Sequence, residues 1–231
     1  MYDKREVISK EFILTFVFLT LIFFGYNVFL GCANKPKIET PKKEAEVVKE
    51  IGTIPSLVEI PLPWEKNHPE RTEWTKTLYT LIDQKFASLE KVKDMGQFCP
   101  KYYSLRDDQK KIAWALLFDS IVYYESGYNP KSSSVDVGSK SDKSTWSVGL
   151  FQISSTDSKN WKIPFSFSYE ELKDPKNNMK LALEIFSKQL DRQNLIVVTK
   201  SLYWAVIGKP PYKYSKVPQI IKKMKVVDFC Q

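Results

Sequence analysis

One glutamate stands where an apolar helical run stops, and its position suits acid–base chemistry. Glu125 directly follows Tyr123 and Tyr124 at the end of that run. The C-terminal end of a helix carries a partial negative charge, and aromatic neighbours exclude water. Both effects disfavour the charged carboxylate, so we expect a raised pKa. A carboxylic acid that stays protonated near neutral pH can protonate a glycosidic oxygen. The simpler alternative is a surface glutamate at a helix end.

Three short motifs around this glutamate resemble those of the lytic transglycosylase and goose-type lysozyme superfamily. In chain order they are Glu125-Ser126, Asn129-Pro130 and the strip SVGLFQI over 147–153, with weaker support from DPKNN over 174–178. The superfamily has Glu-Ser, Asn-Pro and Ser-x-Gly-Leu-x-Gln in the same order. The resemblance implies a mainly α, lysozyme-like single domain with at most a short β element near the cleft. It also implies a peptidoglycan glycan strand as substrate, with Glu125 as the catalytic residue.

The same resemblance places the strip opposite the glutamate, as one wall of a substrate cleft. Gly149 would allow close approach of the main chain, and Leu150 would pack into the core. We expect Phe151 to offer a ring face to a sugar, and Gln152 to hydrogen-bond amide groups of the substrate. Ser147 is a candidate for a hydroxyl contact to the glycan.

Two departures from the superfamily pattern concern substrate contacts. The loop between Asn129-Pro130 and the strip is longer than usual and holds Asp136 and Asp142. A later Tyr-Asn-Ala-Gly segment is not intact, because 203–208 reads YWAVIG. Tyr203 or Trp204 would have to supply the tyrosine from a shifted position. The preferred chemical modification of the glycan, such as N-deacetylation, therefore stays open.

The number of carboxylates bears on the reaction. A glycosidase that uses water normally needs two carboxylates. A lytic transglycosylase needs one, because the muramic sugar's own primary hydroxyl attacks its anomeric carbon and displaces the oxygen of the β-1,4 bond to glucosamine. The single clear carboxylate favours the transglycosylase. A hydrolase stays open because Asp136, Asp142 or Asp157 could orient a water. A non-catalytic glycan-binding lipoprotein also stays open, since 203–208 is altered, and a structural envelope lipoprotein is the remaining alternative.

The first residues predict export. Basic residues precede an uncharged apolar run over 13–31, as in a signal peptide. The end of that run, Leu30-Gly31-Cys32, resembles a bacterial lipobox, although Phe29 departs from it. We predict a signal peptide or membrane segment over 1–31, a lipid-anchored flexible linker over 32–70 and the catalytic domain over 71–231, facing the periplasm. The alternative is an uncleaved membrane anchor.

Composition and charge limit the partners. The chain has 231 residues, 43% of them hydrophobic, and a net charge of +8. A basic balance suits an anionic cell-wall polymer or membrane surface. Lysine is interleaved with glutamate, which argues against nucleic acid. We expect a monomer without cofactor or metal, since His68 is the only histidine. Cys99 and Cys230 remain as a pair for a disulfide, with two free buried thiols as the alternative.

Apolar spacing predicts a mainly α domain of about five to seven helices. One helix is expected over 74–89, and a buried one over 108–126, capped by Asp107 or Asp108 and ended by Gly127. Asp174-Pro175 should open a third. Further helices are expected over 195–208, where a strand over Leu195–Val198 is the alternative, and over 215–229.

Lipidation of Cys32 can be measured directly. We expect the intact mass of protein extracted from membranes to correspond to a chain that begins at Cys32 and carries lipid. A mass that corresponds to an unprocessed chain from Met1 would instead identify 1–31 as a simple anchor.

Overall fold

A central helix with other helices packed around it dominates the computed structural model, which describes residues 60–135, 142–199 and 203–231. The described part contains the helices α1 (Thr72–Leu89), α2 (Asp107–Ser126), α3 (Asp157–Asn160), α4 (Pro175–Gln193) and α5 (Val217–Met224). Two short strands, β1 (Ser133–Ser134) and β2 (Ser147–Val148), pair antiparallel, with Ser133 opposite Val148. The mainly α prediction with a short β element is confirmed.

Helix α2 is buried on every side through its middle. All residues from Ile112 to Val122 are buried. Helices α1 and α5 pack on it, and Phe186 of α4 lies against Trp114 and Phe118, with ring centroids 5.9 and 5.0 Å apart. A helix surrounded in this way has no solvent face, which explains why its apolar positions are so dense.

The ends of α2 and α4 follow from local sequence. Gly127 ends α2 in the left-handed conformation, with φ of 58°, as predicted. Asp174 caps α4 by accepting hydrogen bonds from the main-chain N–H groups of Lys176 and Asn177. The predicted cap of α2 is wrong by one residue. Arg106 occupies the cap position, and Asp107 lies in the first turn, where a negative charge is favourable.

The predicted helix over 195–208 is wrong. In its described part, Val198 pairs with Gly208 in a parallel bridge, and Ala205–Ile207 form one 3₁₀ turn. The cause is a distant side chain, because the carboxylate of Asp94 accepts hydrogen bonds from the main-chain N–H groups of Ile196 and Val197, both at 2.8 Å. β-Branched residues also lose side-chain freedom in a helix. The alternative strand is present only as that single bridge.

Residues before Arg71 also belong to the packed core. Leu62 and Trp64 are buried, and the indole N–H of Trp64 donates to the hydroxyl of Thr75 at 2.8 Å. The packed residues therefore extend into the part of the chain where the sequence predicts a linker.

A disulfide joins Cys99 to Cys230, 131 residues apart in sequence. Both cysteines are buried, so the bridge fastens the last turn of the chain to the core. The lipidation candidate Cys32 and the apolar run over 13–31 lie outside the described residues. Within the described ranges, no helix combines the length and the apolar character needed to cross a bilayer.

Candidate active site

Glu125 lies in the last turn of α2, where its side chain is partly exposed. The chain leaves the helix through a series of main-chain hydrogen bonds. The N–H of Asn129 donates to the carbonyl of Ser126 at 3.1 Å, and the N–H of Ser132 donates to that of Asn129 at 3.1 Å. Glu125 is thus held between a buried helix and an ordered turn.

Helix geometry turns Glu125 toward the strip over 147–153. Phe118 precedes Glu125 by seven residues, which is about two turns, so the two side chains share one face of α2. The ring of Phe118 lies against the ring of Phe151, with centroids 6.2 Å apart. The strip therefore packs on the face of α2 that carries the glutamate.

The carbonyl of Ser132 ties the strip to the turn after Glu125. It accepts a hydrogen bond from the N–H of Gly149 at 2.9 Å and another from the side-chain amide of Gln152 at 3.1 Å. The same amide also donates to the carbonyl of Gly149 at 2.8 Å, and the Gln152 side-chain oxygen accepts from the hydroxyl of Ser134 at 3.2 Å. Gln152 was expected to bind substrate amides. Its side-chain amide instead closes the strip on itself and on the turn.

Asn178 of α4 holds the strip from the core side, and it is 0% exposed. Its side-chain N–H groups donate to the carbonyls of Val148 and Leu172, at 2.9 and 3.0 Å. Its oxygen accepts from the N–H of Phe151 at 2.8 Å. Gly149, with φ of 79°, passes so close that a Cβ there would collide with the Asn178 amide. The sequence includes Asn178 in a family-like helix start, but it does not reveal this bracing role.

Two expected substrate contacts are inside the core. Phe151 is only 1% exposed, and its ring lies between those of Phe118 and Trp204. The hydroxyl of Tyr203 is buried and donates to the carboxylate of Asp157. Neither ring offers a face to a sugar, because large apolar side chains gain more from burial than from an exposed position. Trp204, the alternative to Tyr203, is also buried.

Ser147 and Leu150 are buried as well. Leu150 was expected in the core, and this prediction is confirmed. Ser147 lies in β2 opposite Ser134, so a contact between its hydroxyl and the glycan stays a prediction.

The accessible aromatic surface near Glu125 consists of tyrosines. Tyr123 is 43% exposed, and its ring centroid lies 5.0 Å from that of Tyr124 and 5.4 Å from that of Tyr128. The ammonium of Lys223 lies 3.7 Å from the centroid of Tyr123. These rings supply the aromatic surroundings that the sequence predicts for the end of α2.

The other nearby acids have structural partners where they are described. Asp142 is exposed and caps a short turn, where hydrogen bonds from Ser144 lower its pKa. Asp157 is buried and accepts from the N–H of Ser154 at 2.8 Å as well as from Tyr203. Asp136 lies outside the described residues. Because both described acids are engaged in these hydrogen bonds, neither Asp142 nor Asp157 is a free second carboxylate.

Asp119 is a buried acid that the sequence analysis does not identify. It lies in α2 at 1% exposure, and burial raises its pKa to about 7. Hydrogen bonds from the hydroxyl of Tyr128 and the N–H of Trp64, and the charge of Lys223, act in the opposite direction. The available signal was a carboxylate in the middle of the apolar segment LLFDSIV over 116–122.

Replacement of Asn178 should show how far the strip depends on it. Asn178→Ala removes the Asn178 partner of the Leu172 carbonyl and of the Phe151 N–H, and it leaves the Val148 carbonyl only its hydrogen bond from the N–H of Ile153. We therefore expect the free energy of unfolding to fall by about 3 kcal/mol. Asn177→Ala is the matched control, because that neighbouring side chain is partly exposed and donates one hydrogen bond, to the carbonyl of Glu171 at 3.2 Å. Urea unfolding measures both, and equal losses would contradict the bracing role.

Asp119 should impose a pH dependence on stability. An unfolded aspartate ionises at about pH 4, whereas the folded pKa is about 7. Between these values the unfolded state has released a proton that the folded state keeps, so the contribution of Asp119 to stability falls as pH rises. The free energy of unfolding of Asp119→Asn, relative to that of the parent, should therefore rise by up to about 1.4 kcal/mol per pH unit across this window.

Urea unfolding between about pH 4 and pH 8 measures this difference. Asp108→Asn is the control, because Asp108 is a partly exposed residue of the same helix whose pKa is lowered by its hydrogen bond with Arg106. Its difference from the parent should stay flat over the window. A flat difference for Asp119→Asn as well would contradict the raised pKa.

Comparison with known proteins agrees with this geometry. Residues 102–205 match the model of the Transglycosylase SLT domain family. A search of curated proteins finds no match. Among solved structures, the wild-type form of Bd0314 DslA aligns with a TM-score of 0.64 and 26% identity, covering 75% of this chain and 99% of that one. A glutamate-to-glutamine variant of DslA aligns with a TM-score of 0.63, at the same identity and coverage. Residues 102–205, with Glu125 and the strip packed on its face of α2, therefore match the transglycosylase SLT domain model, and the described residues have a lysozyme-like fold.

Proposed function

We propose that this protein cleaves the glycan strands of peptidoglycan as a lytic transglycosylase, with Glu125 as its catalytic acid and base. The observation that carries the proposal is the position of Glu125 at the open end of a buried helix, on the face against which the strip packs. The SLT domain match supports the same reaction class.

Glu125 would act twice in one turnover. As an acid, it protonates the oxygen of the β-1,4 bond between muramic acid and glucosamine, and that bond breaks. As a carboxylate, it then accepts the proton of the muramic sugar's primary hydroxyl while the hydroxyl oxygen bonds to the anomeric carbon. The products are an anhydro sugar end and a free glucosamine end. No water is consumed, and Glu125 regains its proton.

The remaining parts of the site would serve to position these groups. The strip and the turn after α2 are held to each other through Ser132, so the two sides of the cleft keep a constant separation. The exposed tyrosine surface beside Glu125 is the aromatic surface that a sugar ring could meet. Such rigid positioning contributes to rate because the reacting groups need no further ordering.

The cellular setting follows from the first residues of the chain. We place the protein outside the cytoplasmic membrane, lipid-anchored at Cys32, where the glycan strands of the wall are within reach. Its partner is then the peptidoglycan itself, and its net charge of +8 suits that anionic polymer. We expect it to act there as a monomer.

Glu125→Gln should abolish cleavage while the fold is kept. Glutamine has the same shape but cannot exchange the proton, and general acid–base catalysis contributes about 10²- to 10⁴-fold, so the rate should fall by at least that factor. The alkaline limb of the pH–rate profile should also disappear. The assay is release of soluble fragments from purified sacculi, both native and N-deacetylated.

Glu73→Gln is the matched control, because Glu73 is an exposed residue of α1 that pairs with Lys76. It should cleave at the parent rate. Mass analysis of the fragments separates the reactions, since anhydro ends identify the transglycosylase and reducing ends identify a hydrolase. A Glu125→Gln variant as active as the parent would remove Glu125 from the mechanism. A parent that binds sacculi without cleaving them would identify a glycan-binding protein.

A further inference from the structure

A buried cluster lies behind the turn that follows Glu125. At its centre, the two carboxylate oxygens of Asp119 accept hydrogen bonds from two separate parts of the chain. One oxygen accepts from the hydroxyl of Tyr128 at 3.0 Å, and the other accepts from the main-chain N–H of Trp64 at 3.2 Å. The carboxylate therefore joins the turn after α2 to the segment over 62–65, which we call the N-terminal segment.

Tyr128 has a backbone conformation that needs support. Its φ is 64°, in the left-handed region that residues other than glycine rarely occupy. It directly follows the left-handed Gly127, so these two residues turn the chain away from Glu125. The Tyr128 ring is held by Trp64, with centroids 6.3 Å apart, and by the guanidinium of Arg71, 5.8 Å from the ring centroid. Strained positions persist where surrounding contacts determine them, as they do here.

The N-terminal segment is itself firmly placed. Trp64 is 0% exposed, its indole donates to Thr75 of α1 at 2.8 Å, and its carbonyl accepts from Arg71 at 3.1 Å. Its ring also packs edge-on against Trp74, with centroids 6.1 Å apart. This segment precedes the residues that match the SLT model, which begin at 102.

We propose that Asp119 is a positioning residue for Glu125, because it holds Tyr128 in place from behind the turn. The main-chain N–H of Trp64, in the N-terminal segment, binds the other oxygen of Asp119 from outside the matched residues. We call these two hydrogen bonds to Asp119 the clamp. Asp119 contacts no substrate and acts only through the turn. The inference rests on the proposed function, because it assigns Asp119 and Trp64 to the same site. A misplacement of about 1 Å can cost a large factor in rate, so loss of the clamp should lower kcat more than it raises KM.

Tyr128→Phe tests the clamp in the full chain, because it removes the hydroxyl and keeps the ring. On purified sacculi we expect kcat to fall by about 10-fold, with KM changed by less than about 2-fold. The matched control is Tyr102→Phe. Tyr102 is also buried, and its hydroxyl accepts from the indole of Trp114 of α2 at 2.8 Å, far from Glu125 in the chain. This control should keep the parent kcat at a temperature where both variants are folded.

A double-variant cycle tests whether Asp119 is the acceptor through which Tyr128 acts. Asp119→Asn weakens the same hydrogen bond from the other side, so the double variant with Tyr128→Phe should lose no more activity than the worse single variant. Fully multiplicative losses would show that the two residues act independently, and this would overturn the clamp.

Amide hydrogen exchange provides a readout that does not depend on activity. The N–H groups of Gly127 and Asn129 bond to the carbonyls of Tyr123 and Ser126 at 3.0 and 3.1 Å. Tyr128→Phe should accelerate their exchange by about 10-fold, and Tyr102→Phe should leave it unchanged. Unchanged exchange in Tyr128→Phe, or equal kcat losses in the two variants, would overturn the inference. If Glu125→Gln cleaves as fast as the parent, the proposed function fails, and the exchange result still decides whether the clamp exists.

Discussion

Helix α2 has to be buried on every side and yet end at an accessible glutamate. Its middle, Ile112–Val122, is buried all round, so rotation about its axis would break the close packing of these side chains against their neighbours. Trp114 and Phe118 are each packed against the ring of Phe186. This packing sets the direction in which Glu125 leaves the last turn. The direction of the Glu125 side chain is thus determined by core residues one to three turns away.

Buried polar side chains then join parts of the chain that packing alone would leave free to slide. Asn178 fixes the strip by two hydrogen bonds and is joined by a third to the carbonyl of Leu172. Asp94 fixes the main chain at Ile196 and Val197. A buried polar group is costly unless it is fully paired, so each of these bonds tolerates little displacement. The neutral amide of Asn178 does this at small cost, whereas burial disfavours the charged form of the Asp119 carboxyl. The raised pKa of Asp119 is the sign of that cost.

The strip contributes to the site through its main chain more than through its side chains. Leu150 and Phe151 face the core, and Gln152 uses its amide to close the strip. Outside the core, the accessible aromatic surface near Glu125 is that of the tyrosine rings at the end of α2. The strip can therefore keep the motif of the superfamily even though 203–208 departs from the superfamily pattern. Tyr203 and Trp204 pack behind the strip and not in front of it.

The sequence by itself determined the features that depend on neighbouring residues. The period of apolar positions, the left-handed stop at Gly127 and the cap at Asp174 are local, and they predicted α1, α2 and α4. The short motif of Glu125 and the strip predicted the family, because only side-chain types and their order were needed. Only the tertiary structure decided which of these side chains are buried in the core and which remain accessible. Hydrogen bonds to Asp94 hold the chain near Ile196 in a non-helical conformation, and the carboxylate of Asp119 joins Trp64 to Tyr128. The side chain of Phe151 is buried in the core and not exposed to solvent. These outcomes rest on contacts between residues far apart in the chain, whose energies a local pattern does not contain.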